Sequence, residues 1–432
     1  MASLLRRAGQ GARWAALGLA VLLSACSEQL TAPGTCPDFC SPSALFLVDT
    51  VLQDAIAQDS SFGRPIGYVS PHNSLALLAV SVPGRESRAI FRTIPVPARL
   101  IVGPDTATGA VIGVDSAILR LTITRRDTSA HNLTLSLYAL PLAIDSTTAF
   151  HDLDAPFAGP VVRSVNLDTL LARPGLKDPT TGDSATVDAV NLRITVLIRL
   201  DSAQVPFVTA DSGKVALGVR VSADSRANVS IGSGELGSLL NTPLGPIVNW
   251  FLKVDSLGLN VIHPPARLAQ AAFDSFVFDP PPQPLGGMLV VGGVPAARIV
   301  LRMALPPLIR DSSRVVRATL EFVAAAQLEG NPADSFPVVA NPVVADFGAK
   351  SPLNLKQTDT TWITIVPLDT VRIDVTRVVG LWATDSLQST TLVLRQLLEG
   401  GMFPELRLHA SADVAQRPKL HITYAPRYPV KP

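Results

Sequence analysis

The sequence predicts an all-β protein, and three observations carry that prediction. Apolar and polar residues alternate in many short runs, Asp-Ser and Asp-Thr pairs punctuate the runs, and helical periodicity is scarce. Alternation with a period of two puts successive side chains on opposite faces of a strand, so each run buries one face. Ala117, Leu119, Leu121 and Ile123 share one face, and Ile118, Arg120 and Thr122 share the other. Val371, Ile373 and Val375 oppose Arg372 and Asp374. Leu406, Leu408 and Ala410 oppose Arg407 and His409, and Leu420, Ile422 and Tyr424 oppose His421 and Thr423. The punctuation includes Asp115-Ser116, Asp145-Ser146, Asp201-Ser202, Asp211-Ser212-Gly213 and Asp311-Ser312. Such side chains bond nearby backbone amides and favour turns. Many short strands separated in this way indicate β-sandwiches or barrels.

Two segments carry helical spacing. Val375, Val379 and Trp382 fall on one helical face, with Thr376 placed to act as N-cap. The stretch from Leu236 to Leu252 is interrupted by Pro243 and Pro246, which leaves at most a short helix from Ile247 to Leu252.

The first residues concern location. Arg6, Arg7 and Arg13 precede an apolar run from Trp14 to Leu23, followed by Leu23-Ser24-Ala25-Cys26. A basic start, a short apolar stretch and small residues make a secretory signal. Leu23-Ser24-Ala25-Cys26 resembles a bacterial lipobox. That resemblance implies cleavage before Cys26, a lipid on its thiol, and a membrane as partner. It also implies the outer membrane, because Ser27 stands where the inner-membrane retention signal uses Asp. Residues 1–25 thus read as a lipoprotein signal peptide and 26–43 as a polar tether. Cys36 and Cys40 are the remaining cysteines. An even pair in an exported protein reads as a disulfide, worth about 2 kcal/mol for so small a ring, with free thiols as the alternative.

The rest divides into two related β domains, 44–262 and 266–428, with a boundary near His263-Pro264-Pro265. The division rests on a weak internal repeat. Ser87-Arg88-Ala89-Ile90-Phe91-Arg92 resembles Ala297-Arg298-Ile299-Val300-Leu301-Arg302, and the order of later strands is kept.

Residues 273–424 carry a further resemblance. Val300-Leu301-Arg302 precedes Leu305-Pro306, then come Val316-Arg317-Ala318-Thr319-Leu320-Glu321-Phe322 and Asp374-Val375-Thr376-Arg377-Val378-Val379-Gly380-Leu381-Trp382. Leu392-Val393-Leu394 and Arg417-Pro418-Lys419-Leu420-His421-Ile422-Thr423-Tyr424 complete the series. In this order they resemble the DNRLRE-type domain of bacterial surface proteins, which overlaps with carbohydrate-binding modules. The resemblance implies a jelly-roll sandwich with a short helix at the Val-Thr-x-x-Val-x-x-Trp segment. Its motif residues look like packing residues and name no ligand site.

Chemical signatures are weak throughout. Gly232-Ser233-Gly234-Glu235-Leu236-Gly237 fits G-x-G-x-x-G, but a strand-rich, proline-containing context makes it a glycine-rich turn. Gly182-Asp183-Ser184 sits in a polar loop rather than at a strand-to-helix elbow. The histidines His72, His131, His151, His263, His409 and His421 show no metal-ligand spacing. His151-Asp152-Leu153-Asp154 reads as a loop with too few ligands for calcium. A formal net charge of +1 gives no field that would favour nucleic acid. Aromatic content of 5% is low for a dedicated sugar binder, and Trp362 among threonines could face either way. The expected function is a non-catalytic, cofactor-free surface lipoprotein that binds or scaffolds polysaccharide or another envelope protein. A polysaccharide-recognising module is the alternative, and an enzyme acting on polysaccharides or esters ranks last.

Overall fold

Two hydrophobic cores organise the chain, each enclosed by antiparallel strands. A computed structural model describes residues 47–63, 70–101, 108–205, 213–256, 260–262, 264–279, 287–328, 334–385 and 387–427. Cys26, Cys36, Cys40 and the expected signal and tether lie outside the described residues. Strand accounts for 51% and helix for 12%, so the all-β class read from the alternation is the observed one. Residues 48–432 form one compact unit. Among the described residues no helix is long and apolar enough to cross a membrane.

The first core is organised by the long strand Thr108–Arg126. Ala117, Leu119, Leu121 and Ile123 are all buried, as their alternation requires. One edge of this strand pairs with Arg193–Asp201, and the other pairs with Ala227–Gly232 and Ile247–Ser256 placed end to end. Ala227–Gly232 pairs with Ala76–Val82, which pairs with Arg85–Thr93. Arg85–Thr93 pairs with Arg267–Phe278, which returns to Ile247–Ser256. The pairing therefore closes on itself and leaves these strands few free edges. Ala216–Ser222, Thr134–Ala139 and Val161–Asn166 extend the sheet from Arg85–Thr93.

The second core lies between two sheets, an arrangement that fits a β-sandwich. One sheet has the order Val48–Leu52, Lys419–Pro426, Ser313–Val323, Thr370–Asp374. The other has the order Ile56–Phe62, Arg298–Met303, Thr391–Gln396, Ser335–Pro342, Asp359–Thr364. Leu320, Phe322, Ile373, Leu420 and Ile422 from the first sheet meet Ile299, Leu301, Leu392, Leu394 and Val338 from the second.

The helix expected at Val375–Trp382 spans Thr376–Thr384, with Val375, Val378, Val379 and Trp382 all buried in this core. Its start is held differently from the expectation. Thr376 is the first helical residue, and its hydroxyl is spent on Asp374 and on the Ala318 N–H. The free amides are taken by carboxylates instead. Asp374 Oδ1 accepts from Thr376 N–H, and Asp359 Oδ2 accepts from Arg377 N–H and Val378 N–H at 2.8 and 3.1 Å. Burial and the nearby Asp374 charge hold the Asp359 carboxyl above its ordinary range, against the pull of those amides.

The expected helix at Ile247–Leu252 is a strand, Ile247–Ser256. Val248, Trp250, Leu252 and Val254 are buried, so period two governs this segment. Helix forms just before it, at Gly234–Leu240, and ends at Asn241 in the left-handed region (φ 50°) ahead of Pro243.

Strand pairing also cuts across the expected division at residues 262–266. Val48–Leu52 and Ile56–Phe62 pair with strands of the second core, and Arg267–Phe278 pairs with strands of the first. Pro264 and Pro265 sit in the short connection between Asn260–Ile262 and Arg267–Phe278, where they cost no ladder hydrogen bond. A third apolar cluster joins the two halves, with Ala76, Leu78, Val80 and Phe276 against Phe403.

Candidate functional site

Two places stand out chemically: a sheet face that presents Trp362, and a cleft built around Asp274. Trp362 lies on Asp359–Thr364, the edge strand of the five-stranded sheet. Its neighbour Ile363 enters the core, so Trp362 points outward with Thr360 and Thr364 and is 60% exposed. The ambiguity left by its alternation with threonines is thereby resolved. The other two candidate tryptophans face inward, Trp250 in the first core and Trp382 in the second.

The cleft grows from the Gly232–Gly237 segment. Strand Ala227–Gly232 ends here, and Ser233 caps the following helix by accepting the Leu236 N–H at 3.1 Å. The glycines are needed for close approach. A Cβ at Gly232 would lie 2.9 Å from the Leu244 carbonyl oxygen, and one at Gly237 would lie 2.9 Å from that of Thr242. The motif is thus a packing device, as its strand-rich context implied. The strands flanking it share one edge of Thr108–Arg126 end to end, so they form no parallel crossover unit for a dinucleotide.

Asp274 comes from the opposite wall, on Arg267–Phe278, just after a bulge between Ala271 and Phe273. A bulge re-aims the side chains that follow it. Asp274 is 7% exposed, and its Oδ2 accepts the Gly234 N–H at 2.9 Å. A Cβ at Gly245 would stand 3.2 Å from the same oxygen and 3.0 Å from the Gly234 nitrogen, so a side chain here would crowd the carboxylate. Burial pushes the Asp274 carboxyl up to about 6; the Gly234 amide opposes this and the Glu235 charge adds to it. The cleft has a volume of about 270 Å³, and Asn241, Thr242, Gly245 and Gln270 complete its walls.

Several other sequence candidates are engaged in local structure, and His263 lies outside the described residues. Asp183 of Gly182-Asp183-Ser184 accepts from the Arg163 guanidinium and the Arg199 N–H, both at 2.7 Å, and Ser184 opens a strand. His151–Leu153 is a turn of 3-10 helix leading into helix Asp154–Ala158, rather than a loop. Its Asp152 accepts from the Ala149 N–H, while Asp154 faces His151 and Arg88. His409 faces Asp413 at 2.9 Å, and His421 lies beside Glu321. No model of a known protein family matches the chain, and no curated protein matches it significantly.

Proposed function

We propose that the chain is a lipid-anchored protein of the cell envelope whose β-sheet modules bind or scaffold a partner without catalysis. The anchor reading rests on Leu23-Ser24-Ala25-Cys26 behind its basic and apolar start. An acylated Cys26 would place the protein at the outer membrane, with several acyl chains giving a stable attachment where one would not. The resemblance of residues 273–424 to DNRLRE-type surface domains supports a presenting role.

The observation that carries binding is Trp362. A large aromatic ring held outward on a rigid sheet face, between two threonine hydroxyls, suits contact with a partner. It equally favours the second reading, in which the partner is a polysaccharide and the ring stacks on a sugar face. The test has two arms. Cys26→Ala should abolish acyl labelling and release the protein from the membrane fraction; unchanged labelling would sink the anchor. Trp362→Ala should lose retention on whichever glycans an array detects for the parent. Glycan binding that survives this change would remove the sheet face from the account.

A further inference from the structure

We propose that the Asp274 cleft is a binding site for a small organic ligand carrying a primary ammonium group, of about the size of an amino sugar. It is a second site, on the first core, and stands apart from the Trp362 face.

The argument begins with an unbalanced charge. Asp274 is more than nine-tenths buried, and among the described residues no cation lies within ion-pair distance of it. Its one hydrogen-bond donor is a neutral amide, Gly234 N–H. Buried carboxylates are ordinarily paired, because leaving water without a partner is costly. The charged groups nearby do not supply that partner. Glu235 is itself anionic and adds to the negative potential. Arg120 donates to the Pro243 carbonyl oxygen at 3.0 Å.

The shape then selects the ligand. Glycine at 234, 237 and 245 keeps the walls bare, and the space is just below the roughly 300–1,000 Å³ typical of ligand pockets, which limits the ligand to a small one. Asn241, Thr242 and Gln270, all neutral and polar, line the same cleft. An ammonium has three N–H donors and no acceptor, so one carboxylate and neutral oxygens satisfy it. A divalent metal ion asks for more anionic or imidazole ligands, and the described residues hold no group of three such side chains. A neutral polyol would leave the charge uncompensated.

The experiment compares D-glucosamine with D-glucose, which differ by an amine in place of a hydroxyl, by calorimetry on the full chain in detergent at pH 7.5. n-Butylamine serves as the smallest ammonium probe. Glucosamine should bind at least tenfold more tightly than glucose. Asp274→Asn should lower glucosamine affinity at least tenfold. Ser238→Trp places a bulky side chain in the cleft from an exposed helical position, and it should block binding even if the Asp274 variant folds poorly. Binding of the parent should weaken as the pH is lowered below about 6, where the carboxylate takes up a proton. Equal affinity for glucosamine and glucose would overturn the proposal. So would absence of binding by both amines, or full binding by Ser238→Trp.

Discussion

Truncating Trp382 separates a packing role from a binding role. Trp382 is fully buried in the second core, on the same helical face as Val375 and Val379. Burying an indole removes roughly 150–250 Å² from water, which at about 25 cal/mol per Å² is worth roughly 4–6 kcal/mol. One term opposes this. The Trp382 Nε1–H is buried without a hydrogen-bond acceptor, at a cost of about 1–3 kcal/mol. The difference is about 1–5 kcal/mol, and the cavity left behind adds to it, so Trp382→Ala should destabilise by about 3–5 kcal/mol, a large share of ordinary domain stability. Trp382→Phe keeps most of the ring and removes the orphaned donor, so it should stay within about 2 kcal/mol of the parent. Trp362→Ala, on the surface, should cost no more than about 0.5 kcal/mol. Urea unfolding followed by far-ultraviolet circular dichroism measures all three. A midpoint for Trp382→Ala equal to that of the parent would refute the packing argument. A Trp362→Ala loss as large as that of Trp382→Ala would refute the assignment of faces.

Two further outcomes follow from single residues. Asp274 has a folded pKa of about 6, against about 3.9 for an unfolded aspartate. Between these values the native state holds a proton that the unfolded chain releases, so ligand-free stability should fall as pH rises from about 4 to 6, by roughly 3 kcal/mol. Asp274→Asn should flatten that slope and be the more stable protein at pH 7; denaturation curves with parallel slopes for both would contradict it. At Gly109 a Cβ would stand 2.2 Å from the Asp255 carbonyl oxygen, a backbone atom that cannot swing aside. Gly109→Ala should cost about 1–3 kcal/mol, and a thermal midpoint unchanged from the parent would show that the two strands can part freely.

Local physics was legible in the sequence, and long-range pairing was not. Leu420, Ile422 and Tyr424 are buried as their alternation required, and the Val375, Val379, Trp382 face appeared as a helix. Alternation names a strand's buried face without naming its neighbour. Hence nothing in Val48–Leu52 signalled that Lys419–Pro426 lies beside it, nor that Arg267–Phe278 stays with the first core. Proline misled twice. Pro243 and Pro246 pointed to a helix cut short at Ile247–Leu252, where Val248, Trp250, Leu252 and Val254 already alternated, and Pro264-Pro265 marked a connection inside one core. The Asp274 cleft escaped because its walls come from Gly234, Gly245 and Gln270, which meet only after the strands have paired. Its one local signal was the glycine-rich segment, whose weak dinucleotide pattern pointed to other chemistry.

The pairing of Val48–Leu52 with Lys419–Pro426 has a consequence for biogenesis. The strands that make the first core lie in the chain between the two partners of this ladder, as an insert within the second half's sheet. The strands around the first core are all complete in the chain before the C-terminal strands are synthesised. The sheet around the second core must wait for the last strand, with Val48–Leu52 and Ser313–Val323 each missing a neighbour meanwhile. Contacts that span nearly the whole chain are slow to form, and waiting edges are open to aggregation. A polypeptide that stalls before residue 419 would therefore present two sticky strands, so full-length delivery acts as a checkpoint on whether the second half closes.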